Sequence, residues 1–371
     1  MAPIQRLPAS LTPLDAALAA LLQRIKPVTP TELALADALG CVAAQMSPLP
    51  LLPSRDVAAG DGWALRSGDL VGASSYSPVL LPVPPVWLEA GDPMPDDCDC
   101  VVDEDSVDQS GPIWQVLNEA TPGQGVRRAG QDLPAGTVAP IAGRVVTPRD
   151  LLIARGARLQ RLAVRRPRLR IVNIPASERV TRELISENAR TAGTEVVFID
   201  AEGRDVASIA KALDASACDL LVTIGGTGIG RTDATVSALA KCGEILAHGL
   251  ALQPGRTSAV GRVGGVPLIA LPGAPDRALA AWWTLGLAVL DRLAGRGSRA
   301  RQSLALSRKI ASQVGLAEIA LLARADEEWM PLAVGDLSLS AIGRADAWIA
   351  VPGGSEGFAA GTLVDAYILR D

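Results

Sequence analysis

Aromatic side chains are scarce: they make up 3% of the 371 residues, with two phenylalanines and two tyrosines. Ala, Leu and Val must therefore fill the cores, and a hydrophobic content of 49% is enough to do so. A single histidine, His248, excludes histidine-rich metal centres and leaves a Ser/His/Asp triad only that residue to use. The five cysteines, Cys41, Cys98, Cys100, Cys218 and Cys242, are odd in number and scattered, unlike a disulfide framework or a zinc cage. No basic block offsets the net charge of −5, which argues against general nucleic-acid binding. No run approaches the ~18 apolar residues of a membrane span, and the start lacks a basic stretch followed by an apolar core. A reducing, cytoplasmic setting without membrane attachment is expected.

What the chain does have is glycine at strand ends. The apolar run Leu220–Thr223 reads as a strand buried on both faces, followed at once by Gly225, Gly226, Thr227, Gly228 and Gly230, then by helical spacing from Thr232 to Lys241. Glycines between a strand end and a helix start bring backbone amides close to an anion, so this turn is a candidate phosphate cradle. Strands at Leu169–Ile174, Glu195–Asp200 and Leu220–Thr223 alternate with helical segments, which implies a parallel sheet. A further strand, Pro267–Leu271, ends in Pro272, Gly273, Ala274 and Pro275 before a long helix over Asp276–Leu293. Both turns should face the same sheet edge, where open α/β sheets bind ligands.

Around this core, helices are predicted over residues 10–24, Pro30–Leu39 and 147–157, and short broken strands over Val79–Trp114. The fold class is multi-domain α/β. A composite N-terminal region spans 1–166, its β-rich part covering about 54–140; the α/β domain spans 167–296 and a small all-β domain 297–371. Arg161–Arg168 reads as a basic connector. Seven carboxylates between Asp92 and Asp105 read as a solvated acidic rim around the thiols of Cys98 and Cys100. Arg127 and Arg128 lie between glycines with Asp132 close behind, which reads either as a guanidinium that a carboxylate orients toward an oxyanion or as a turn with surface arginines.

Six collinear stretches resemble the molybdopterin molybdenumtransferases, the family related to the gephyrin E domain: Asp61-Gly62-Trp63-Ala64, AGDPMPDDCDCVV, Arg127 with Gly130-Gln131-Asp132, GGTGIGRTD, GEILAHGLALQPGR and LPGAP. The resemblance implies a molybdopterin-binding parallel-sheet domain in a homodimer whose cleft takes N-terminal residues from the neighbouring subunit. It also implies adenylylated molybdopterin and molybdate as substrates, a divalent ion such as Mg2+, AMP as product, and a molybdoenzyme apoprotein as recipient. Carried onto this chain, Asp61, Asp132, Glu178, Asp205 and Asp233 are candidate catalytic carboxylates. Arg127, Gly225, Gly226, Thr227, Gly228, Asp233, Pro272, Gly273 and Pro275 are candidate cofactor-binding residues, and Arg256 and Arg277 candidate molybdate ligands.

Departures from the family pattern accompany the match. Where the family has TGDEL, this chain has Pro175-Ala176-Ser177-Glu178; where it has KPGK, this chain has Gln253-Pro254-Gly255-Arg256; Arg277 and Ala90 replace a serine and a threonine. The glycine loop with Arg231, Asp233 and Thr235 resembles the related molybdopterin adenylyltransferases. Three readings follow: a working molybdenumtransferase with an altered molybdate pocket, a non-catalytic carrier of the cofactor for a molybdoenzyme, or a scaffold kept for partner binding.

Overall fold

The computed structural model describes residues 5–110, 113–175 and 179–369. They form two compact units. One comprises the chain up to Ala44, residues 142–147 and everything from Arg161 onward; the other comprises Gln45–Ile141 and Pro148–Gln160.

At the centre of the first unit lies a six-stranded sheet. Its parts in chain order are β1 (Arg168–Asn173), α1 (Arg179–Thr191), β2 (Glu195–Asp200), α2 (Val206–Ala212), β3 (Leu220–Ile224), α3 (Thr235–Cys242), β4 (Glu244–His248), β5 (Ala259–Val263) and β6 (Val266–Leu271). The order across the sheet is β2-β1-β3-β6-β5-β4; the first four strands are parallel, β5 runs antiparallel to β6, and β4 antiparallel to β5. Successive side chains point to opposite faces, so β3 feeds two cores at once. Leu220, Val222 and Ile224 pack with Leu279 and Trp282, while Leu221 packs with Ile209, Val236 and Leu239. Burying each such side chain contributes roughly 1.5–3 kcal/mol, which explains why a central parallel strand tolerates no polar face.

The expected helix after LPGAP is continuous but not regular. It runs Pro275–Ala281, passes through a π turn at Trp282–Gly286, and resumes over Leu287–Ala294. A side chain on Gly286 would collide with the Trp282 ring, so glycine lets that indole lie against the helix. The C-terminal sheet is more than local. Strands Arg301–Leu306, Ala317–Ala325, Glu328–Val334, Ala347–Val351 and Leu363–Ile368 close into a ring, and Leu250–Gln253 and Thr12–Pro13 join its edge from far away in sequence.

Two expectations are corrected. Pro30–Leu39 is a strand, Thr31–Ala34, followed by a single helical turn, Leu35–Ala38. Arg161–Arg168 is no loose connector: Arg161–Arg165 is the middle strand of a three-stranded sheet between Thr31–Ala34 and Val42–Ala43. Its buried Leu162 and Val164 alternate with outward arginines, a period-two pattern masked by the charge.

In the second unit, Gly62–Leu65 pairs with Val86–Leu88 and Cys100–Val102, and Ile113–Val116 pairs with Val79–Leu81 and Val107–Ser110. Gly62 is required where it stands, because a side chain there would strike the Val102 carbonyl. Trp63 meets Trp87 and Trp114 edge-on at 5.0 and 5.1 Å.

Candidate functional site

The two turns that end β3 and β6 lie side by side. Ile224 pairs in register with Leu271, and the next amide, Gly225 N–H, donates to the Leu271 carbonyl at 2.9 Å. Gly225 and Gly226 have φ of 93° and 69°, the left-handed region where a side chain is costly. Since its N–H is spent on β6, Gly225 acts as the hinge of the loop and not as one of its anion donors. The amides of Gly226, Thr227 and Gly228 have no partner among the described residues.

Five side chains hold this loop. Thr235 Oγ1 donates to Gly225 O at 2.9 Å. Asp233 Oδ2 accepts from Gly230 N at 2.9 Å, and its Oδ1 lies 3.2 Å from Arg204 Nη2. Arg204 Nη1 also donates to Pro175 O at 2.6 Å, tying the turn after β1 to the glycine loop. Gln5 donates to Gly228 O at 2.8 Å and accepts from Val236 N at 3.1 Å, so a residue from the start of the chain takes up a free amide of α3. His248 Nε2 lies 3.3 Å from Thr227 O; a carbonyl only accepts, so the contact requires the Nε2–H tautomer. Glycine is needed at Gly228 and Gly230, where a Cβ would lie 2.7 and 2.9 Å from the Asp233 carboxylate.

Burial lowers the His248 pKa, partly offset by the Thr227 carbonyl. The fold therefore favours neutral imidazole, and this contribution is complete above about pH 6.5 and is lost as pH falls from there toward the folded pKa. Because the chain has one histidine, its imidazole resonance gives a single titration. A midpoint below that of a free histidine is expected, together with a Tm that falls below pH 6.5 less steeply in His248→Gln; a midpoint at or above the free value would contradict the buried placement.

A second feature adjoins the loop. Gln253, Pro254, Gly255, Arg256, Thr257 and Arg277 line a cavity of about 150 Å3, and Thr257 Oγ1 lies 3.4 Å from Thr227 Oγ1. Arg256 and Arg277 are exposed there and have no carboxylate within ion-pair distance among the described residues. Gln253 is turned away from such a role, donating to Gly335 O at 3.2 Å. Beside the cavity, Gly273 O accepts from Thr181 Oγ1 at 2.6 Å, which fixes the turn between Pro272 and Pro275.

The other candidate carboxylates divide. Asp205 caps α2: it accepts from Ala207 N and Ser208 N at 3.0 Å and from Ser208 Oγ at 2.6 Å, and these bonds lower its pKa. Capping accounts for Asp205 without a catalytic role. Both oxygens of Asp233 are engaged, which makes it a positioning residue for the loop. Glu178 lies outside the described residues. Asp61 and Asp132 belong to the second unit; Asp61 accepts from Ala90 N at 2.8 Å, and Asp132 pairs with Arg127 at 3.3 Å with both side chains about half exposed. The guanidinium is thus oriented by a carboxylate, through a surface pair that adds little stability. Neither Arg204 nor Gln5 carries a sequence signal; their roles depend on approaches across 29 and 223 residues.

Residues 12–157 match the family model "MoeA N-terminal region (domain I and II)", and residues 150–292 match "Probable molybdopterin binding domain". Over 305 residues the chain is 32% identical to molybdopterin molybdenumtransferase 2 of Mycobacterium tuberculosis, covering 70% of this chain and 74% of that protein. The chain belongs to the molybdopterin molybdenumtransferase family. The molybdopterin molybdenumtransferase of Haemophilus influenzae is 27% identical over 321 residues, covering 76% and 78% of the two chains. In fold, this family member superposes on a molybdopterin biosynthesis MoeA protein from Pyrococcus horikoshii with a TM-score of 0.75 at 23% identity, covering 98% of this chain and 100% of that one. Its place is in molybdenum cofactor biosynthesis.

The family's acidic stretch holds no reactive thiol here. Burial and the neighbouring Asp97 and Asp99 raise the Cys98 pKa, and burial pushes Cys100 up to about 11. Both are neutral thiols near pH 7. Cys98→Ser is expected to leave ligand affinity and turnover within twofold of the parent; a larger loss in an activity assay would give that thiol a role.

Proposed function

We propose that the protein is a molybdopterin molybdenumtransferase that takes adenylylated molybdopterin and molybdate, inserts molybdenum into the dithiolene and releases AMP. One observation carries the reading: a glycine loop with free amides is joined through Thr227 and Thr257 to a small cavity bearing Arg256 and Arg277. Loop amides next to a helix start suit a phosphate. The cavity, at about 150 Å3, is below the roughly 300 Å3 at which organic ligand pockets begin, and it suits a tetraoxoanion. Guanidinium forks give that oxyanion parallel N–H donors, and Arg277 restores the charge that Gln253 lacks. Charge that builds on the departing AMP phosphate as the pyrophosphate breaks is met by fixed amides.

Among the described residues no three histidine, cysteine or carboxylate groups converge on a metal site. A hard cation such as Mg2+ would therefore be held chiefly by the substrate's own phosphate oxygens. The proposal extends to a cytoplasmic homodimer in which Asp61, Arg127 and Asp132 of one subunit complete the cleft of the other, and to a molybdoenzyme apoprotein as recipient.

One observation favours the carrier reading: Gln253 is neutral and bonded to Gly335, so this position offers molybdate no charge. The two readings differ in product. Protein mixed with adenylylated molybdopterin and molybdate should yield molybdenum in the extracted pterin fraction above a protein-free control. Pterin bound without molybdenum would replace the transferase with the carrier.

A further inference from the structure

A second, wider cavity lies at the other end of the sheet. It measures about 800 Å3 and is lined by the first residues of β1, β2 and β6 (Arg168, Glu195 and Val266) and by Asp219, just before β3. The glycine loop sits at the carboxyl ends of the same strands, so the two features are separated by a strand length of about 17 Å. Cofactor binding as proposed above makes no use of this end.

Its charge is unlike that of the rest of the protein. The lining carries five cations, Arg24, Lys26, Arg166, Arg168 and Arg262, against two carboxylates, in a chain of net charge −5. Arg168 is spent on Asp219, with guanidinium contacts of 3.1 and 3.0 Å. Arg262 is 7% exposed and spent on the carbonyls of Ala20, Leu21 and Gln23. That leaves Arg24, Lys26 and Arg166 without an ion-pair partner among the described residues. Arg24 is also strained: its φ is 72°, where glycine or asparagine ordinarily ends a helix. A large cation thus stands at a backbone position that glycine or asparagine adopts at less cost. Facing these charges are apolar walls from Ile25, Val28, Leu33, Val266 and Leu293.

We propose that this cavity is a second ligand site, taking a small organic phosphate: a dianionic head on an apolar body, with the head held by Arg24, Lys26 and Arg166. The volume falls within the range of organic ligand pockets, and unpaired cations beside apolar walls select for both halves of such a molecule. The site is independent of the transferase reading, because its groups lie on the opposite sheet edge.

Calorimetry with 1-naphthyl phosphate, inorganic phosphate and 1-naphthol on the full chain tests it. Naphthyl phosphate should bind, and more tightly than inorganic phosphate, while naphthol should not bind. Lys26→Ala with Arg166→Ala should weaken naphthyl phosphate by at least about tenfold. Arg24→Gly should weaken it too while raising Tm, a combination that a purely structural arginine would not give. Arg277→Ala, at the other sheet end, should leave it unchanged. The proposal is overturned by no binding at millimolar naphthyl phosphate, by phosphate binding as tightly, by naphthol binding, or by binding that responds to Arg277→Ala and not to the three cavity cations.

Discussion

Asp233→Asn should bind adenylylated molybdopterin about 10- to 100-fold more weakly than the parent while remaining folded. The reason is local. One carboxylate oxygen accepts the Gly230 amide and the other faces the Arg204 guanidinium. An asparagine amide has one accepting oxygen, so whichever way it turns, an N–H group confronts a donor. Hydrogen bonds to charged groups contribute about 1.5–3 kcal/mol, which sets the expected range. Glycine at Gly228 and Gly230 lets the loop close on Asp233, so the loss is one of loop geometry and should be shared with Arg204→Ala. In a double-mutant cycle the two changes should fall well short of additive. Titration of pterin fluorescence measures all four proteins; parental affinity in Asp233→Asn would remove the loop from the substrate's site.

The second large effect concerns molybdate. Arg256→Ala and Arg277→Ala should each raise the molybdate concentration needed for half-maximal turnover by about 10- to 100-fold, each removing a charge-assisted contact of about 1.5–3 kcal/mol. Pterin affinity should stay within about threefold of the parent, because Arg256 and Arg277 line the cavity and not the loop, which touches the cavity at Thr227 and Thr257. Gln253→Lys should act in the opposite direction, lowering the molybdate requirement at the expense of the Gly335 contact. Steady-state kinetics at fixed pterin and varied molybdate separates these outcomes. An Arg277→Ala enzyme with an unchanged molybdate requirement would return that residue to the surface.

Much of the α/β layer can be read from sequence for a simple physical reason. A central strand of a parallel sheet is buried on both faces, so β6 is a continuous apolar run and β3 is one but for the buried Thr223, and their ends are marked by proline and glycine. Two strands in the same direction and in register must bring their turns to one edge, which is why Gly225 and Leu271 meet. Charge hides the opposite case: Arg161–Arg165 is a strand whose outward arginines conceal the buried Leu162 and Val164. Long-range pairing hides others. Nothing near Thr12–Pro13 or Leu250–Gln253 announces that they extend the C-terminal sheet. At the site, reading carboxylates as catalytic overlooks how often they serve the backbone, as Asp205 does by capping a helix and Asp233 by holding a loop. Arg204 and Gln5, which complete that loop, are invisible until the chain is folded.

The account rests on the glycine loop and the arginine cavity acting on one reaction. The most direct test is a single turnover: protein freed of bound ligand, loaded with adenylylated molybdopterin, then mixed with molybdate or with buffer while AMP is followed by rapid quench. AMP should appear in a burst with molybdate, stay near background without it, and be slowed by Arg256→Ala at limiting molybdate. Release at the same rate with and without molybdate, or tight retention of the adenylylated pterin in both, would contradict the account.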